Sequence, residues 1–244
     1  MLEAHKLKQV MLIIPAYNEE QTVAQVVSEA LQLGLGAVVV VDDHSTDRSA
    51  TVASNAGAEV VSLSENLGAW GAIQTGLRLA LRRGFKTAVT LDADGQHLSP
   101  FVPSILEPIF SQSANTVVGS CTQRGTRGRH LAWRWLRMLS GLEIDDLTSG
   151  MRAYDLPSIK ALSTRSGSLP DYQDIGPLLL LNREGLKVKE VPVLMSDRAD
   201  GKSKIFHSWS RVAYYLCYST ILGVSRRPAR RKTKTTIALD QKID

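Results

Sequence analysis

Short apolar runs alternate with longer amphipathic stretches through roughly the first 120 residues of the chain. Each run is rich in β-branched residues and too short for a helix, which indicates a strand. Each longer stretch repeats its apolar residues every three or four positions, which indicates a helix with one buried face. The predicted strands are 10–14, 37–41, 59–63, 86–91 and 116–118. The predicted helices are 22–33, 49–55 and 69–83, and a fourth begins at Ser99-Pro100.

The alternation of strands and helices predicts an α/β fold. Strands that are apolar along their whole length are buried on both faces, and intervening helices let neighbouring strands run parallel. The second half is less regular, with strands expected at 148–154 and 187–195, helices at 129–142 and 176–183, and an apolar stretch at 209–224. We therefore predict a mostly parallel central sheet with helices on both faces.

The length and charge of the chain limit its possible functions. It has 244 residues, of which 43% are hydrophobic, and this suits one α/β domain with a full-size core. The formal net charge is +5, but six cationic side chains lie near the C-terminus, so the remainder carries −1. These six are Arg226, Arg227, Arg230, Arg231, Lys232 and Lys234. Because the body of the chain is nearly neutral, we do not expect it to bind nucleic acid.

The C-terminal segment has the composition of a helix at a membrane surface. Fourteen uncharged residues lie between Arg211 and Arg226, too few to span a bilayer. Aromatic residues in this segment and the basic run behind it suit an interfacial helix on an anionic membrane. The alternative is a helix that packs on the core, followed by a disordered tail. The aromatic residues are Trp209, Tyr214, Tyr215 and Tyr218.

Cysteine usage and the N-terminus favour a cytoplasmic protein. The two cysteines, Cys121 and Cys217, have neither the spacing of a metal site nor that of a disulfide framework. Residues 1–9 mix charges and lack the apolar core of an export signal. We therefore expect a cytoplasmic protein, peripherally bound to the cytoplasmic face of a membrane.

Polar side chains follow the predicted strands where each one ends. Asp92 and Asp94 come directly after the strand at 86–91, and the first two strands run into polar loops at 15–20 and 42–47. Because the carboxyl ends of parallel strands meet at one edge of a sheet, we expect the three loops to line one crevice. Carboxylate oxygens suit Mg²⁺, which accepts one or two carboxylates together with substrate phosphates. The alternative is an Asx-turn that caps the following helix.

Several common nucleotide and hydrolase motifs do not occur in the chain. The first strand is not followed by Gly-x-Gly-x-x-Gly, and Gly-x-x-x-x-Gly-Lys-Ser/Thr is absent, which disfavours a dinucleotide oxidoreductase and a P-loop NTPase. No Gly-x-Ser-x-Gly nucleophile elbow is present. A sugar-1-phosphate nucleotidyltransferase shares the α/β plan, but its first strand is typically followed by a Gly-rich basic loop. A second rival is a non-catalytic adaptor that binds a membrane or nucleic acid through the tail.

Five segments, in this order, resemble family-two inverting glycosyltransferases. They read IPAYNEE at 14–20, VDDHSTD at 41–47, DADGQH at 92–97, TSGMR at 148–152, and EVP at 190–192 followed by Arg198 and GKSK at 201–204. The similarity covers roughly 10–206 and is closest to the dolichyl-phosphate mannose synthase and polyprenyl-phosphate glycosyltransferase group. It implies a GT-A fold and transfer of a sugar from a UDP- or GDP-sugar to a polyprenyl or dolichyl phosphate, or a related cell-envelope glycan acceptor. A glycosyltransferase with a hydroxyl acceptor is the alternative.

The resemblance also implies roles for individual residues. Asp94 and Gln96 match the ligands of Mg²⁺ or Mn²⁺, and Ser149 and Arg152 are candidates to hold an acceptor phosphate. The positions that match the nucleotide-sugar site are Pro15, Ala16, Tyr17, Glu19, Val41, Asp43, Asp92, Ala93, Arg198 and Lys204. The expected catalytic groups are Asp94, Arg152, Arg198 and Lys204.

The expected chemistry follows from where charge develops. Displacement at the anomeric carbon leaves a nucleoside diphosphate, whose charge a metal and the cations Arg198 and Lys204 would offset. A phosphate acceptor is already ionised near neutral pH and needs no strong base. A hydroxyl acceptor would need one, such as Asp146 or Asp174.

One position departs from the pattern of the polyprenyl-phosphate group. That group usually has Gly-Ser/Thr-Arg after the strand at 116–118, whereas this chain has Gly-Ser-Cys at 119–121. Arg124, Arg127 or Arg129 could supply the missing guanidinium, and an exposed basic loop is the alternative. The implied organisation is a catalytic domain at 1–206, an amphipathic helix at 207–225 and a basic, disordered tail at 226–244. The sequence leaves the sugar, the base and the oligomeric state open.

Overall fold

A seven-stranded sheet forms the centre of the described part of the chain. The structure, a computed structural model, describes residues 3–96, 98–121, 144–168 and 175–195. The strands are β1 (Val10–Ala16), β2 (Ala37–Asp42), β3 (Glu59–Ser62), β4 (Thr87–Thr90), β5 (Thr116–Ser120), β6 (Arg152–Asp155) and β7 (Val188–Pro192). Their order across the sheet is β3-β2-β1-β4-β6-β5-β7. All neighbours are parallel except those of β6, which runs antiparallel to β4 and β5.

Helices cover both faces of this sheet. One face packs against α2 (Val23–Gln32), α3 (Ser49–Asn55) and α5 (Val102–Phe110). The other packs against α4 (Gly68–Arg82), α6 (Leu156–Leu162) and α7 (Ile175–Arg183). A short helix, α1 (Ala4–Leu7), precedes β1, and single 3₁₀ turns occur at Ser99–Phe101 and Arg165–Ser168.

The apolar strands serve two cores at once. Successive side chains of a strand point to opposite faces, so Leu12 and Ile14 join the core under α2 while Ile13 joins the core under α4. All three are fully buried. Helix α4 crosses β1 at Gly76, where a Cβ atom would overlap the side chain of Ile13. The uninterrupted apolar runs in the sequence therefore reflect burial on both faces, and the predicted α/β sheet is confirmed.

The second half of the chain contains the main differences from the sequence-based expectation. The strand expected at 148–154 begins only at Arg152. Before it, the backbone N–H and hydroxyl of Thr148 donate to Asp146 Oδ1 at 3.1 and 3.0 Å, so this segment is a loop held by a side chain. Helix α6 was not predicted, although Asp155 caps it by accepting the N–H of Ser158 at 2.9 Å and Pro157 lies in its first turn.

Within the described ranges, no helix is long and apolar enough to cross a membrane. The helix expected at 129–142 and the apolar stretch at 209–224 lie outside those ranges. Since β1, β2, β4, β5 and β7 run the same way, their carboxyl ends lie along one edge of the sheet. The polar loops singled out in the sequence are therefore on a common edge.

Candidate active site

The loops that follow β1 and β2 brace one another through hydrogen bonds. The N–H of Asn18 donates to Ser45 Oγ at 3.0 Å, and the N–H of Thr46 donates back to Asn18 Oδ1 at 2.8 Å. Farther along, the N–H of Glu19 donates to Ser49 Oγ at 2.7 Å. Each short polar side chain replaces a partner that the backbone loses where its strand ends. The two loops therefore form one unit.

Both loops contain a residue in the left-handed backbone region. Asn18 has a φ of 54° and His44 a φ of 63°. Asparagine tolerates this conformation better than most residues because its side chain can hydrogen-bond locally. Tyr17, which precedes the first of these turns, is 44% exposed. Its ring is therefore accessible to a planar ligand at this edge.

Asp43 is a buried carboxylate at the end of β2, only 2% exposed. Its Oδ1 accepts the N–H of Leu67 at 2.7 Å, and its carbonyl accepts the Asn66 side-chain amide at 3.1 Å. Burial raises the pKa of the Asp43 carboxyl, and the amides of Leu67 and Gly68 oppose that shift. The carboxylate thus joins the end of β2 to the start of α4.

Asn66 and Leu67 were not anticipated from the sequence as parts of this site. The sequence Asn-Leu-Gly at 66–68 is typical of a turn, and this turn could have been predicted. In the structure Asn66 Oδ1 accepts the N–H of Gly68 at 3.2 Å, and Gly68 has a φ of 76°. Leu67 is 52% exposed even though its own N–H is bonded to Asp43. An accessible apolar side chain therefore lies beside the buried carboxylate.

Three positions matched to the nucleotide-sugar site have buried side chains. Val41 is fully buried, and Ala16 and Ala93 are 2% and 3% exposed. Their side chains belong to the two cores, so a ligand at this edge would meet their backbone and not their side chains. Asp42, also buried, has an Oδ1 for which the described residues provide no hydrogen-bond partner.

Oxygen-bearing side chains follow β4 directly. Asp92, Asp94 and Gln96 are half-buried, and the N–H of Gln96 donates to Asp94 Oδ1 at 3.0 Å. The Asx-turn considered from the sequence is therefore present at Asp94. It does not prevent metal binding, because each carboxylate oxygen carries two lone pairs.

The donor set here suits a hard cation that the substrate helps to bind. Among the described residues, no group of three or more His, Cys, Asp or Glu side chains could hold a metal by itself. Mg²⁺ typically takes one or two carboxylates and completes its shell with water and substrate phosphates. Asp94 and Gln96 offer only oxygen ligands of this kind, so the residues present fit Mg²⁺ or Mn²⁺.

Asp92 packs against the backbone of the loop that precedes β6. A Cβ atom built on Gly150 would overlap both carboxylate oxygens of Asp92. The Thr90 hydroxyl donates to the carbonyl of Gly150 at 2.7 Å, which holds the glycine on β4. Glycine at this position therefore leaves the space that the carboxylate occupies.

Asp146 ties that same loop to the end of β5. Besides the bonds from Thr148, its Oδ2 accepts the N–H of Cys121 at 3.2 Å, and the side chain is 4% exposed. Glu190 on β7 accepts the N–H groups of Asp145 and Asp146 at 2.8 and 2.6 Å. These contacts favour a structural role for Asp146 over the role of general base.

The two residues proposed to hold an acceptor phosphate are buried. Arg152 is 2% exposed; its Nε donates to the Ser149 carbonyl at 2.9 Å and its Nη2 to the Leu147 carbonyl at 2.9 Å. Ser149 is 4% exposed, and its Oγ accepts the N–H of Met151 at 3.3 Å. Burial of this kind argues against a direct phosphate contact by Arg152 and favours a role inside the fold.

Several other candidates fall in segments that the structure does not describe. These are His97, Arg124, Arg127, Arg129, Asp174, Arg198 and Lys204. Their assigned roles remain predictions from the sequence.

The sequence of the chain is similar to those of known proteins. The sequence profile of glycosyl transferase family 2 matches residues 11–166. Undecaprenyl-phosphate mannosyltransferase of Micrococcus luteus is 30% identical over 221 residues, which cover 80% of this chain and 87% of the relative. UDP-N-acetylglucosamine–dolichyl-phosphate N-acetylglucosaminyltransferase of Methanococcus voltae is 28% identical over 213 residues, which cover 76% of this chain and 85% of the relative.

Solved structures provide the comparison of folds. Glucosyl-3-phosphoglycerate synthase of Mycobacterium tuberculosis in complex with Mn²⁺, UDP-glucose and phosphoglyceric acid matches with a TM-score of 0.70 at 23% identity, over 91% of this chain and 81% of its own. The same synthase with Mg²⁺ and UDP matches with a TM-score of 0.66 at 20% identity, over 94% and 86%. At this identity the likeness concerns the fold alone, and it confirms the predicted GT-A architecture.

Proposed function

The chain belongs to glycosyl transferase family 2 and is a glycosyltransferase, and we propose that it moves a sugar from a UDP- or GDP-sugar to a polyprenyl or dolichyl phosphate. Two relatives support this choice of acceptor, because their names specify undecaprenyl phosphate and dolichyl phosphate. The donor class is supported by one of those names and by the UDP-glucose bound to a protein of the same fold. The product would be a lipid-linked sugar for cell-envelope biogenesis.

Nucleotide recognition is assigned to the loops after β1 and β2. The accessible ring of Tyr17 suits one face of a base, and the exposed side chain of Leu67 lies beside Asp43. Asp43 would accept an N–H of the base. Burial removes water from this carboxylate, so a hydrogen bond from the base compensates for the lost hydration. Asp92 would contact the ribose and diphosphate, with Pro15 and Glu19 contributing to the same cradle.

A divalent cation is part of the proposal. Asp94 and Gln96 would hold Mg²⁺ or Mn²⁺, which would supply Lewis-acid stabilisation of the leaving diphosphate. Arg198 and Lys204 would add positive charge there, Arg as a planar fork and Lys as a point charge.

The transfer itself is proposed as a single displacement with inversion. An acceptor phosphate oxygen forms the new bond to the anomeric carbon while the bond to the nucleoside diphosphate breaks on the opposite face. The acceptor is already ionised, so no base is needed to remove a proton. The absence of a need for a base is consistent with the structural role of Asp146, whose oxygens accept the backbone N–H groups of Cys121 and Thr148.

We also assign residues 1–206 to the catalytic domain, 207–225 to an amphipathic interfacial helix and 226–244 to a basic tail. Together the helix and tail would keep the enzyme peripherally on the cytoplasmic face of a membrane, where a lipid phosphate is accessible. The support for this is the aromatic composition followed by six cations.

The single observation that carries the proposed donor site is the convergence of Asp43, Asp92 and Asp94 at one edge of the sheet. The test is a screen of radiolabelled UDP- and GDP-sugars with Mn²⁺ or Mg²⁺ and polyprenyl phosphate, with lipid-soluble product as the readout. We expect product with one donor class and none when a chelator is added. Transfer to hydroxyl acceptors alone would overturn the acceptor assignment. Failure of pure protein to bind any UDP or GDP compound would overturn the donor assignment.

A further inference from the structure

We propose that Arg152 and Tyr154 are positioning residues that hold Asp92 from inside the sheet, with Gly150 providing the space for its carboxylate. The inference rests on the proposed function, because it takes Asp92 to be a donor ligand. It gives Arg152 a role different from binding the acceptor phosphate.

Gly150 is the direct neighbour of the Asp92 carboxylate. Any side chain at this position would overlap both carboxylate oxygens. The φ of Gly150 is not in the left-handed region, so alanine is compatible with its backbone. An added methyl group therefore conflicts with the position of Asp92 and not with the fold.

The loop around Gly150 is fixed to the sheet on both sides. The Thr90 hydroxyl donates to the Gly150 carbonyl at 2.7 Å, and Thr90 is the register partner of Arg152 between β4 and β6. The N–H of Gly119 on β5 donates to the Met151 carbonyl at 2.8 Å. The backbone at Gly150 is therefore held in place and restricts the position of the Asp92 carboxylate.

Arg152, at the start of β6, supplies a buried positive charge two residues after Gly150. It is 2% exposed, and its guanidinium donates to the carbonyls of Leu147 and Ser149, both at 2.9 Å. A buried guanidinium needs a compensating negative charge as well as hydrogen-bond acceptors. The carboxylate of Asp92 lies against Gly150 of the same loop, and on this proposal it supplies that charge.

Tyr154 connects these groups. It is 1% exposed, and its hydroxyl is hydrogen-bonded to the side chains of Thr90 and Arg152. Burial raises the pKa of Tyr154, the positive charge of Arg152 opposes that shift, and the negative charge of Asp92 adds to it. Both charges therefore act on the Tyr154 hydroxyl, which is hydrogen-bonded within the same part of the sheet as Thr90 and Arg152.

Two interior variants test the inference against the alternative that Arg152 binds the acceptor. Tyr154→Phe removes only the hydroxyl, and Gly150→Ala adds a methyl group that displaces the Asp92 carboxylate. Each is expected to weaken binding of UDP or GDP with Mn²⁺ by about 10- to 100-fold, the loss expected when the charged Asp92 can no longer hydrogen-bond the donor in its proper position. The KM for polyprenyl phosphate should stay unchanged. Calorimetry and donor and acceptor titrations provide the measurements.

Thr116→Val is the matched control. Its hydroxyl donates to Ser158 Oγ at 3.0 Å in a fully buried position on β5, opposite Tyr154 in the register, so the variant loses a comparable buried hydrogen bond. We expect it to lower the melting temperature while leaving nucleotide affinity at the wild-type value. A melting scan of all variants separates loss of folding from loss of positioning.

A double-mutant cycle provides a readout that general destabilisation would not change. If Gly150→Ala acts by displacing Asp92, it should have no further effect on nucleotide affinity in an Asp92→Ala background. Additive losses in the double variant, or wild-type nucleotide affinity in both Tyr154→Phe and Gly150→Ala, would overturn the inference. A raised acceptor KM with unchanged donor affinity in Arg152→Lys would overturn it too, in favour of phosphate binding. If wild-type protein itself binds neither UDP nor GDP, the proposed function fails, a result distinct from these.

Discussion

The side-chain oxygen of Asn18 accepts two hydrogen bonds from Thr46, from its N–H at 2.8 Å and from its hydroxyl at 3.3 Å. These bonds cross from the loop after β1 to the loop after β2. They join the segment that carries Tyr17 to the one that carries Asp43. The geometry of the proposed base site therefore depends on a residue that need not touch the base.

Replacement of Asn18 tests this brace. Asn18→Ala loses the amide and leaves a β-carbon in the left-handed region without the local hydrogen bonds that let asparagine tolerate it, so we expect about 2 kcal/mol of lost stability in urea denaturation. Asn18→Gly loses the amide as well, but without a β-carbon it adopts the left-handed region freely, so we expect about half that loss. Both should weaken nucleotide binding. Equal stabilities of the two variants would show that the left-handed turn contributes nothing.

The buried carboxyl of Asp43 predicts a pH-dependent stability. Burial raises its pKa in the folded state, so its stabilising contribution is present below the ordinary value of 3.8 and is lost as pH rises through the folded pKa. Asp43→Asn retains an acceptor for the Leu67 N–H without the charge. We expect this variant to be more stable than wild type near pH 7, with the difference shrinking towards about pH 4.

The measurement for Asp43 is the urea midpoint at several pH values. In parallel, Asp43→Asn should bind nucleotide more weakly, by roughly tenfold, because hydrogen bonds to a charged acceptor are stronger. A stability difference that does not vary with pH would contradict the assignment of burial as its cause.

Asp94 is expected to be essential for metal-dependent transfer. Asp94→Ala removes a carboxylate from a site where the described part of the chain offers few metal ligands, so we expect at least about a 100-fold loss of transfer while the melting temperature stays near wild type. Glu107→Ala, on the exposed side of α5, is the control for loss of a carboxylate. Product formation at increasing Mn²⁺ measures the effect, and full activity in Asp94→Ala would remove this residue from the mechanism.

Glu190 is expected to stabilise the loop that carries Gly150. Glu190→Ala leaves the N–H groups of Asp145 and Asp146 without their acceptor, and we expect a cost of about 1.5–3 kcal/mol in denaturant unfolding. Glu190→Gln keeps one acceptor oxygen and should recover part of this. If both variants are as stable as wild type, the loop does not depend on β7.

The basic tail predicts electrostatic membrane binding. Replacement of Arg226, Arg227, Arg230, Arg231, Lys232 and Lys234 by Gln should weaken binding to anionic vesicles, at about 1 kcal/mol per charge. Replacement of the four arginines by lysine preserves charge and should preserve binding. Sedimentation with vesicles at low and high salt measures the effect, and salt-insensitive binding by the Gln variant equal to wild type would refute it.

Much of the fold could be predicted because local patterns decide it. The helix at 49–55 was predicted with its observed bounds, and the strand at 37–41 is only one residue short of Ala37–Asp42. The predictions were wrong mainly around β6, which runs antiparallel to its neighbours: the strand begins later than expected, and helix α6 was not predicted. There the decisive contacts are a side-chain cap at Asp155 and the bonds to Asp146, which apolar periodicity does not reveal.

The sequence by itself determined the α/β architecture, the family and the loops that converge at one sheet edge, because periodicity and motif order are local properties of the chain. Only the tertiary structure decided which side chains at that edge are accessible and which are supports. Thr90 and Gly150 are 60 residues apart in sequence and meet because β6 inserts antiparallel beside β4. The same insertion buries Arg152, a residue that the family resemblance had suggested as a phosphate ligand.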